Sequence, residues 1–279
     1  ADNGVLYNVS LQAINNLGPS AAATKNITIG VASSITTSGG AAGAVTNMYG
    51  DSNLIKYKTY KFSYSSSYIG PDNTKNQTNY TMTVGNNPIT LDFLIVAGGG
   101  GGGMDMGGGG GGGGVIKGQT TFSVGSHDVK VGAGGWGAPA GATNGTRIDG
   151  TTYTQNGSHH FNESAHNGKD SVLGTYTAKG GGYASSSKVD YGPNQGVPGN
   201  GGNGGGSTGY NSNSTDRARD GGVAIDQNGN TITSGSTTLA TGVVCYGWKG
   251  GGSYHHAYSG GGGGAGGPGG ERTADESVS

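Results

Sequence analysis

Cysteine is almost missing from this sequence: Cys245 is the only one in 279 residues, so no intrachain disulfide framework holds the chain together, and redox chemistry leaves its compartment undecided. Within Val243-Val244-Cys245-Tyr246 it reads as a small buried strand residue. Charge is scarce too, at 11% of residues with a formal net charge of −1, against about a quarter charged in ordinary soluble domains. Such a chain projects no basic field toward phosphate backbones, which argues against nucleic-acid binding. No apolar run approaches the roughly 18 residues of a membrane span; the longest, Phe93-Leu94-Ile95-Val96-Ala97, is the length of a strand. Ala1-Asp2-Asn3-Gly4 has no basic segment followed by a hydrophobic stretch, so no export signal stands in these residues. No segment of ten or more residues joins a cap to a 3.6-residue apolar repeat, which leaves no convincing helix.

What fills the space is glycine, 65 residues of it, with 15 tyrosines and recurring β-branched runs. Glycine loses more entropy on ordering than any other residue, so this enrichment implies a backbone that must pack closely. A flexible linker would carry serine or charge and few large side chains.

Alternation marks the strands. Val5, Tyr7, Val9, Leu11 and Ala13 point one way, and Asn15-Asn16-Leu17-Gly18-Pro19-Ser20 turns the chain before Ile27, Ile29 and Val31, a hairpin signature. Tyr57 to Tyr64, Tyr80 to Val84 and Ile89 to Ala97 follow, the last two separated by the turn Gly85-Asn86-Asn87-Pro88. From Phe93 the alternation stops, which predicts burial on both faces. A further strand pair is expected in Val115-Ile116-Lys117 and His127 to Val131. Asn228-Gly229 suits a type I′ turn. The fold expected is all-β: β-sandwich-like strands combined with polyglycine layers and long loops.

Two resemblances sharpen this. Tyr7 to Asn15 followed by Leu17-Gly18-Pro19-Ser20 resembles the last two strands of a fibronectin type III domain, whose earlier strands are not in the sequence. Phe93-Leu94-Ile95-Val96-Ala97 running into 98–103, a second block at 107–114, then Val129-Lys130-Val131-Gly132-Ala133-Gly134-Gly135 resembles the glycine-rich domain of phage tail-fibre and environmental viral or bacterial surface proteins. Asn167 to Gly174 with Ala178 to Gly182 fits its middle, and 254–270 its end. The expected organisation is a terminal hairpin at 1–31, a linker at 32–53, a glycine-rich β domain at 54–270 and a polar tail at 271–279.

Consecutive glycines adopt polyproline II geometry with three residues per turn and no internal hydrogen bonds, so their amides must bond laterally. The resemblance implies such a layered polyglycine core. Recognition, if any, falls to the Asn-, Ser-, Thr- and Tyr-rich insertions, with Tyr153, Tyr191, Tyr210, Tyr254 and Tyr258 as display positions; that composition serves binding loops and solvated surfaces alike.

Catalytic motifs fail on context. The glycine tracts match G-x-G-x-x-G trivially, with no helix behind them and no acidic residue at ribose distance. His159-His160 and His255-His256 lack patterned co-ligands, and adjacent strand residues face opposite ways. Asp226-Gln227-Asn228-Gly229-Asn230 opens like a calcium loop, but the later glycine and terminal glutamate are missing. Cys245 has no spaced base, and no carboxylate pair stands in a motif. No catalysis, no cofactor and no metal are expected. Asn-x-Ser/Thr triplets stand at Asn8, Asn26, Asn76, Asn79, Asn144, Asn156, Asn162 and Asn213, acceptor positions for N-glycosylation in a producer able to glycosylate.

The functional expectation is a self-assembling subunit of an extracellular, cell-surface or virion-attached fibre. Its assembly residues would be Val5, Tyr7, Val9, Leu11, Ile27 and Ile29, and its partners copies of itself. The alternative is a receptor-binding adhesin at a fibre tip that recognises a cell-surface glycan or protein.

Overall fold

The computed structural model describes residues 7–11, 14–15, 18–19, 23–27, 34–38, 41–48, 55–65, 77–104, 107–138, 145–146, 152–153, 165–186, 197–208, 218–254 and 259–271. Among these residues there is no helix, and every paired strand is antiparallel.

Near the N-terminus β1 (Tyr7–Leu11) pairs with β4 (Ala23–Ile27), and β2 (Ile14–Asn15) pairs with β3 (Gly18–Pro19) between them. Tyr7 lies opposite Ile27, Val9 opposite Lys25 and Leu11 opposite Ala23. The segment 32–53 is more than the linker expected. It supplies β5 (Ser34–Ser38) to a larger sheet and β6 (Ala41–Met48) to a hairpin with β7 (Ile55–Lys61). The β-branched run Ile35-Thr36-Thr37 accounts for the first of these.

Two sheets make the body. A five-stranded sheet runs β15 (Tyr176–Ala178), β14 (Ser171–Leu173), β11 (Gly125–Gly132), β8 (Gln77–Gly85), β5. A four-stranded sheet runs β17 (Ser236–Ala240), β18 (Val243–Tyr246), β10 (Val115–Phe122), β9 (Ile89–Val96). The expected strand neighbours are therefore partitioned between sheets. β8 and β9 do not pair with each other, nor do β10 and β11; β8 pairs with β11 and β9 with β10. The turn at 85–88 is a corner between sheets. It is shaped by Asn86, the one non-glycine residue at positive φ (67°) among the described residues, a conformation asparagine tolerates.

The inner faces meet in a core of Met82, Val84, Phe122 and Val129, with Ile35, Ile89, Leu91, Phe93 and Leu173 packed on it. Phe93 stacks edge-on against Phe122 at 6.3 Å and lies 5.1 Å from Tyr176. A second cluster of Ile95, Ala97, Ile116, Ala178, Ala224, Ile232, Val243 and Cys245 continues toward the glycine tracts. The burial of β9 alternates throughout: Ile95 is 6% exposed, but Leu94 is 64% and Val96 52% exposed. The expectation of two-sided burial from Phe93 onward is thus wrong. The sheet has an inner face only, and its outer face keeps apolar residues in solvent.

Asn228-Gly229 also departs from the type I′ expectation, since Gly229 has φ 84° while Asn228 is not at positive φ. Gly229 N–H bonds Asp226 O at 3.1 Å and Asp226 N–H bonds Asn230 O at 2.9 Å. This is a three-residue loop with glycine in the left-handed position. The buried Asp226 carboxylate replaces the second positive φ by accepting the N–H groups of Asn228 and Asn230 at 2.8 and 2.9 Å.

Ile116 is wholly buried between Ile95 and Cys245 on the inner face of β10. Ile116→Ala is expected to destabilise the domain by about 2–5 kcal/mol, read as a lowered guanidinium midpoint with unchanged slope.

Candidate functional site

The glycine tracts grow directly out of the strands. In the β9–β10 ladder Val96 lies opposite Val115; beyond it Ala97 N–H bonds Gly114 O at 3.1 Å, Gly100 bonds Gly111 O at 2.8 Å and Gly103 bonds Gly108 O at 3.0 Å. The register never slips, but the step changes from two residues to three. The β11–β14 ladder behaves alike: Lys169 N–H reaches Ala133 O and His166 N–H reaches Trp136 O, both at 2.9 Å. From β14–β15 the next bond is Gly168 N–H to Gly181 O, 2.9 Å.

Three-residue steps also relate the tracts to one another. Gly108, Gly111 and Gly114 donate to Ser185, Gly182 and Lys179, while Gly109 and Gly112 donate to Gly260 and Gly263. Gly182 and Ser185 donate to Asn203 and Gly206. A three-residue repeat with lateral bonding only is the polyglycine II pattern expected of these tracts. Glycine is required where the tracts touch. A Cβ on Gly100 would overlap the Gly182 carbonyl and one on Gly204 the Gly222 carbonyl, whereas one on Gly102 would meet nothing within 4 Å.

Side chains complete the lattice where backbone partners run out. Asn203, fully buried, donates from Nδ2 to Gly113 O at 2.9 Å and accepts Trp248 N–H at Oδ1 at 2.8 Å, tying three tracts together. Asn167 accepts Tyr183 N–H at 2.8 Å and donates to Asn200 O at 3.0 Å. At the sandwich end, Asp170 accepts Gly180 N–H at 2.8 Å and the Lys179 ammonium at 3.0 Å. Asn167, Asp170 and Lys179 fall in the segments that carry the resemblance, with no lattice role legible for them there; for Asn203 the only signal is a lone polar residue inside a glycine tract, Gly201-Gly202-Asn203-Gly204.

The opposite end is a rim of buried hydroxyls. Ser186 Oγ accepts Met104 N–H at 3.1 Å, Ser185 Oγ accepts Thr208 N–H at 2.6 Å, and Ser207 Oγ donates to Ser253 Oγ at 3.0 Å. Ala138 N–H bonds Gly102 O at the same level. The points at which the tracts give way to the insertions therefore gather at one end, away from the sandwich.

Of the display tyrosines, Tyr153 lies in β13 (Thr152–Tyr153), which pairs with β12 (Gly145–Thr146), and Tyr254 lies in β19 (Ser253–Tyr254), which pairs with β16 (Ala218–Arg219). Tyr191, Tyr210 and Tyr258 lie outside the described residues. So do Val5, Ile29, Asn76, Asn144, Asn156, Asn162, Asn213 and the two histidine pairs. Asn8 and Asn26 are directly opposite each other in β1 and β4, and Asn79 is exposed on β8. Among the described residues no group of three His, Cys, Asp or Glu could hold a metal, and no helix is long and apolar enough to cross a membrane.

Cys245 is 1% exposed, and burial first, then the nearby Asp226 carboxylate, pushes its thiol up to about 11. The thiolate is the reactive form. The native protein should therefore be inert to a disulfide reagent at pH 8 and take up one equivalent in denaturant. Gly204→Ala is expected to lower stability by at least about 1–3 kcal/mol through overpacking, while Gly102→Ala stays within about 0.5 kcal/mol of the parent. Parallel thermal melts of the two variants check this.

No curated protein and no solved structure matches the chain. A family model described as a glycine-rich domain matches residues 73–277, taking in β8 to β19 and every lattice tract, and on that match the chain belongs to the glycine-rich domain family.

Proposed function

We propose that this chain is a non-catalytic structural subunit of an extracellular or virion-attached fibre that assembles with copies of itself through β-strand contacts. One observation carries the reading: among the described residues β1 and β4 form a two-stranded sheet that joins neither large sheet. Two strands alone are marginal and leave unpaired edges, so such a unit gains stability by completing a sheet elsewhere. By register Tyr7, Val9, Leu11, Ala23 and Ile27 share one side of it with Lys25, and strand addition would pair the open edge of β4 or β1. The resemblance to the end of a fibronectin type III domain points the same way. A glycine lattice bonded backbone to backbone and anchored at one end by an apolar sandwich suits a force-bearing module.

The gathering of the insertion points at one end of the lattice favours a second reading, a fibre-tip adhesin whose tyrosine-bearing insertions contact a cell-surface glycan or protein. A filament needs two complementary surfaces related by a non-closing operation, and a tip needs one attachment surface with the other end free.

Negative-stain electron microscopy of the purified chain separates the readings: long periodic filaments are expected. Deleting residues 1–31 should leave the glycine-rich domain folded and monomeric. Filaments of unchanged length from the truncated chain would falsify assembly through the hairpin.

A further inference from the structure

The two large sheets end in four edges, and three of them are blunted. β15 is three residues long, and its Thr177 N–H is capped by Gln227 Oε1 at 3.2 Å. β17 is Ser/Thr-rich and carries a register shift between Thr238 and Ala240. β5 is five residues of serine and threonine around a single isoleucine. Short strands, bulges and polar composition are the devices that keep sheet edges from pairing.

β9 has none of these. It is eight residues long, pairs with β10 without a shift, and reads Ile-Thr-Leu-Asp-Phe-Leu-Ile-Val. Among the described residues its second edge has no backbone partner. Leu94 and Val96 stand 64% and 52% exposed on its outer face. A long, unbulged, hydrophobic edge attracts another strand, which would satisfy a whole row of N–H and C=O groups at once.

We infer that the free edge of β9 is the acceptor for residues 7–27 of a second copy, whose hairpin extends the four-stranded sheet. This rests on the fibre-subunit reading and adds where the incoming hairpin docks. Charge selects the occupant. Asp92 is the only charged residue in β9, and Lys25 is the only one in residues 7–27. Asp92 is exposed on the same face as Leu94 and Val96, and among the described residues its side chain is bound only to Gln119 Nε2, at 3.0 Å. Lys25 lies in β4 opposite Val9. Setting β4 antiparallel beside β9 with Lys25 against Asp92 brings Ala23, and beyond it Leu11, alongside Leu94. Opposite charges and apolar residues directly across a strand pair stabilise it, and like charges there destabilise it.

The test uses the full chain at matched concentrations, with pelleting and negative-stain microscopy as readouts and circular dichroism as the control for folding. Asp92→Lys and Lys25→Asp should each raise the concentration needed for filaments by roughly three- to tenfold, and the two together should restore it to within about twofold of the parent. Leu94→Lys, at an exposed position, should leave the monomer folded and abolish filaments. Parent filaments with single variants that assemble equally well, with a double variant no better than the singles, or with Leu94→Lys filaments intact would overturn the β9 acceptor and leave the fibre reading standing. A parent chain that stays monomeric at every concentration, as it would if the hairpin closed on its own β9, overturns both.

Discussion

Everything in this protein depends on the spacing between neighbouring glycine backbones. Where the tracts cross, a Cβ would overlap a carbonyl oxygen of the adjacent tract, so the lateral hydrogen bonds of 2.7–3.2 Å exist only because no side chain intervenes. The arrangement carries a thermodynamic cost. Ordering a residue's backbone costs about 1–2 kcal/mol, and more for glycine, while a net hydrogen bond returns only about 0.5–1.5 kcal/mol. A lattice of this kind sits near balance alone, so what holds it must come from its ends.

The sandwich provides one end. Three ladders, β9–β10, β11–β14 and β14–β15, run into the lattice without a change of register. The apolar core fixes the strands, the strands fix the phase of the first glycine bonds, and each later bond inherits that phase. Asp170, bonded to Gly180 N–H and Lys179, holds the junction where the step changes. The hydroxyl rim of Ser185, Ser186, Ser207 and Ser253 closes the far end with small donors and acceptors that need no more room than glycine leaves. Chemistry is thereby kept out of the interior, and side chains able to contact a partner are left to the insertions, the sheet edges and the outer faces.

Part of this was legible in the residues. Period-two alternation located β8, β9 and β11, and the unbroken glycine runs required lateral backbone bonding. The partners of the strands were not legible. Gly85-Asn86-Asn87-Pro88 has the composition of a hairpin turn, yet it serves as a corner between sheets, because local turn chemistry fixes chain reversal without fixing which strand becomes the neighbour. The run Phe93-Leu94-Ile95-Val96 reads as buried on both faces because an apolar side chain on an outer face looks the same in sequence as one in a core. Asn203 was invisible for a different reason: its role is set by Gly113 and Trp248, ninety residues before it and forty-five after. For the candidate site, Tyr191, Tyr210, Tyr258 and most sequons lie outside the described residues, and the β9 edge emerged only once sheet order was known.

The outer faces of the two sheets differ in a way that bears on how such a body presents itself. The five-stranded sheet shows Gln77, Asn79, Thr81, Thr83, Asp128 and Lys130 on one face by alternation, with Asn79 opposite Lys130 and Thr81 opposite Asp128. Thr83 and Ser126 exchange a hydroxyl hydrogen bond at 3.3 Å. Those polar groups face solvent or bond one another, and burying them would cost desolvation with little apolar gain. The four-stranded sheet shows Thr90, Asp92, Leu94 and Val96 in β9, with Thr121, Gln119 and Val115 of β10 opposite Thr90, Asp92 and Val96, and Val244 and Tyr246 beyond in β18, so one end of its face is polar and the other apolar. The only lysine among them is Lys117, which lies opposite Leu94. Covering the polar face costs desolvation throughout, whereas covering the Leu94, Val96 and Val115 end of the other returns apolar burial. The lattice holds both sheets in fixed register, so this difference between the outer faces is built into the same backbone bonding that orders the glycine tracts.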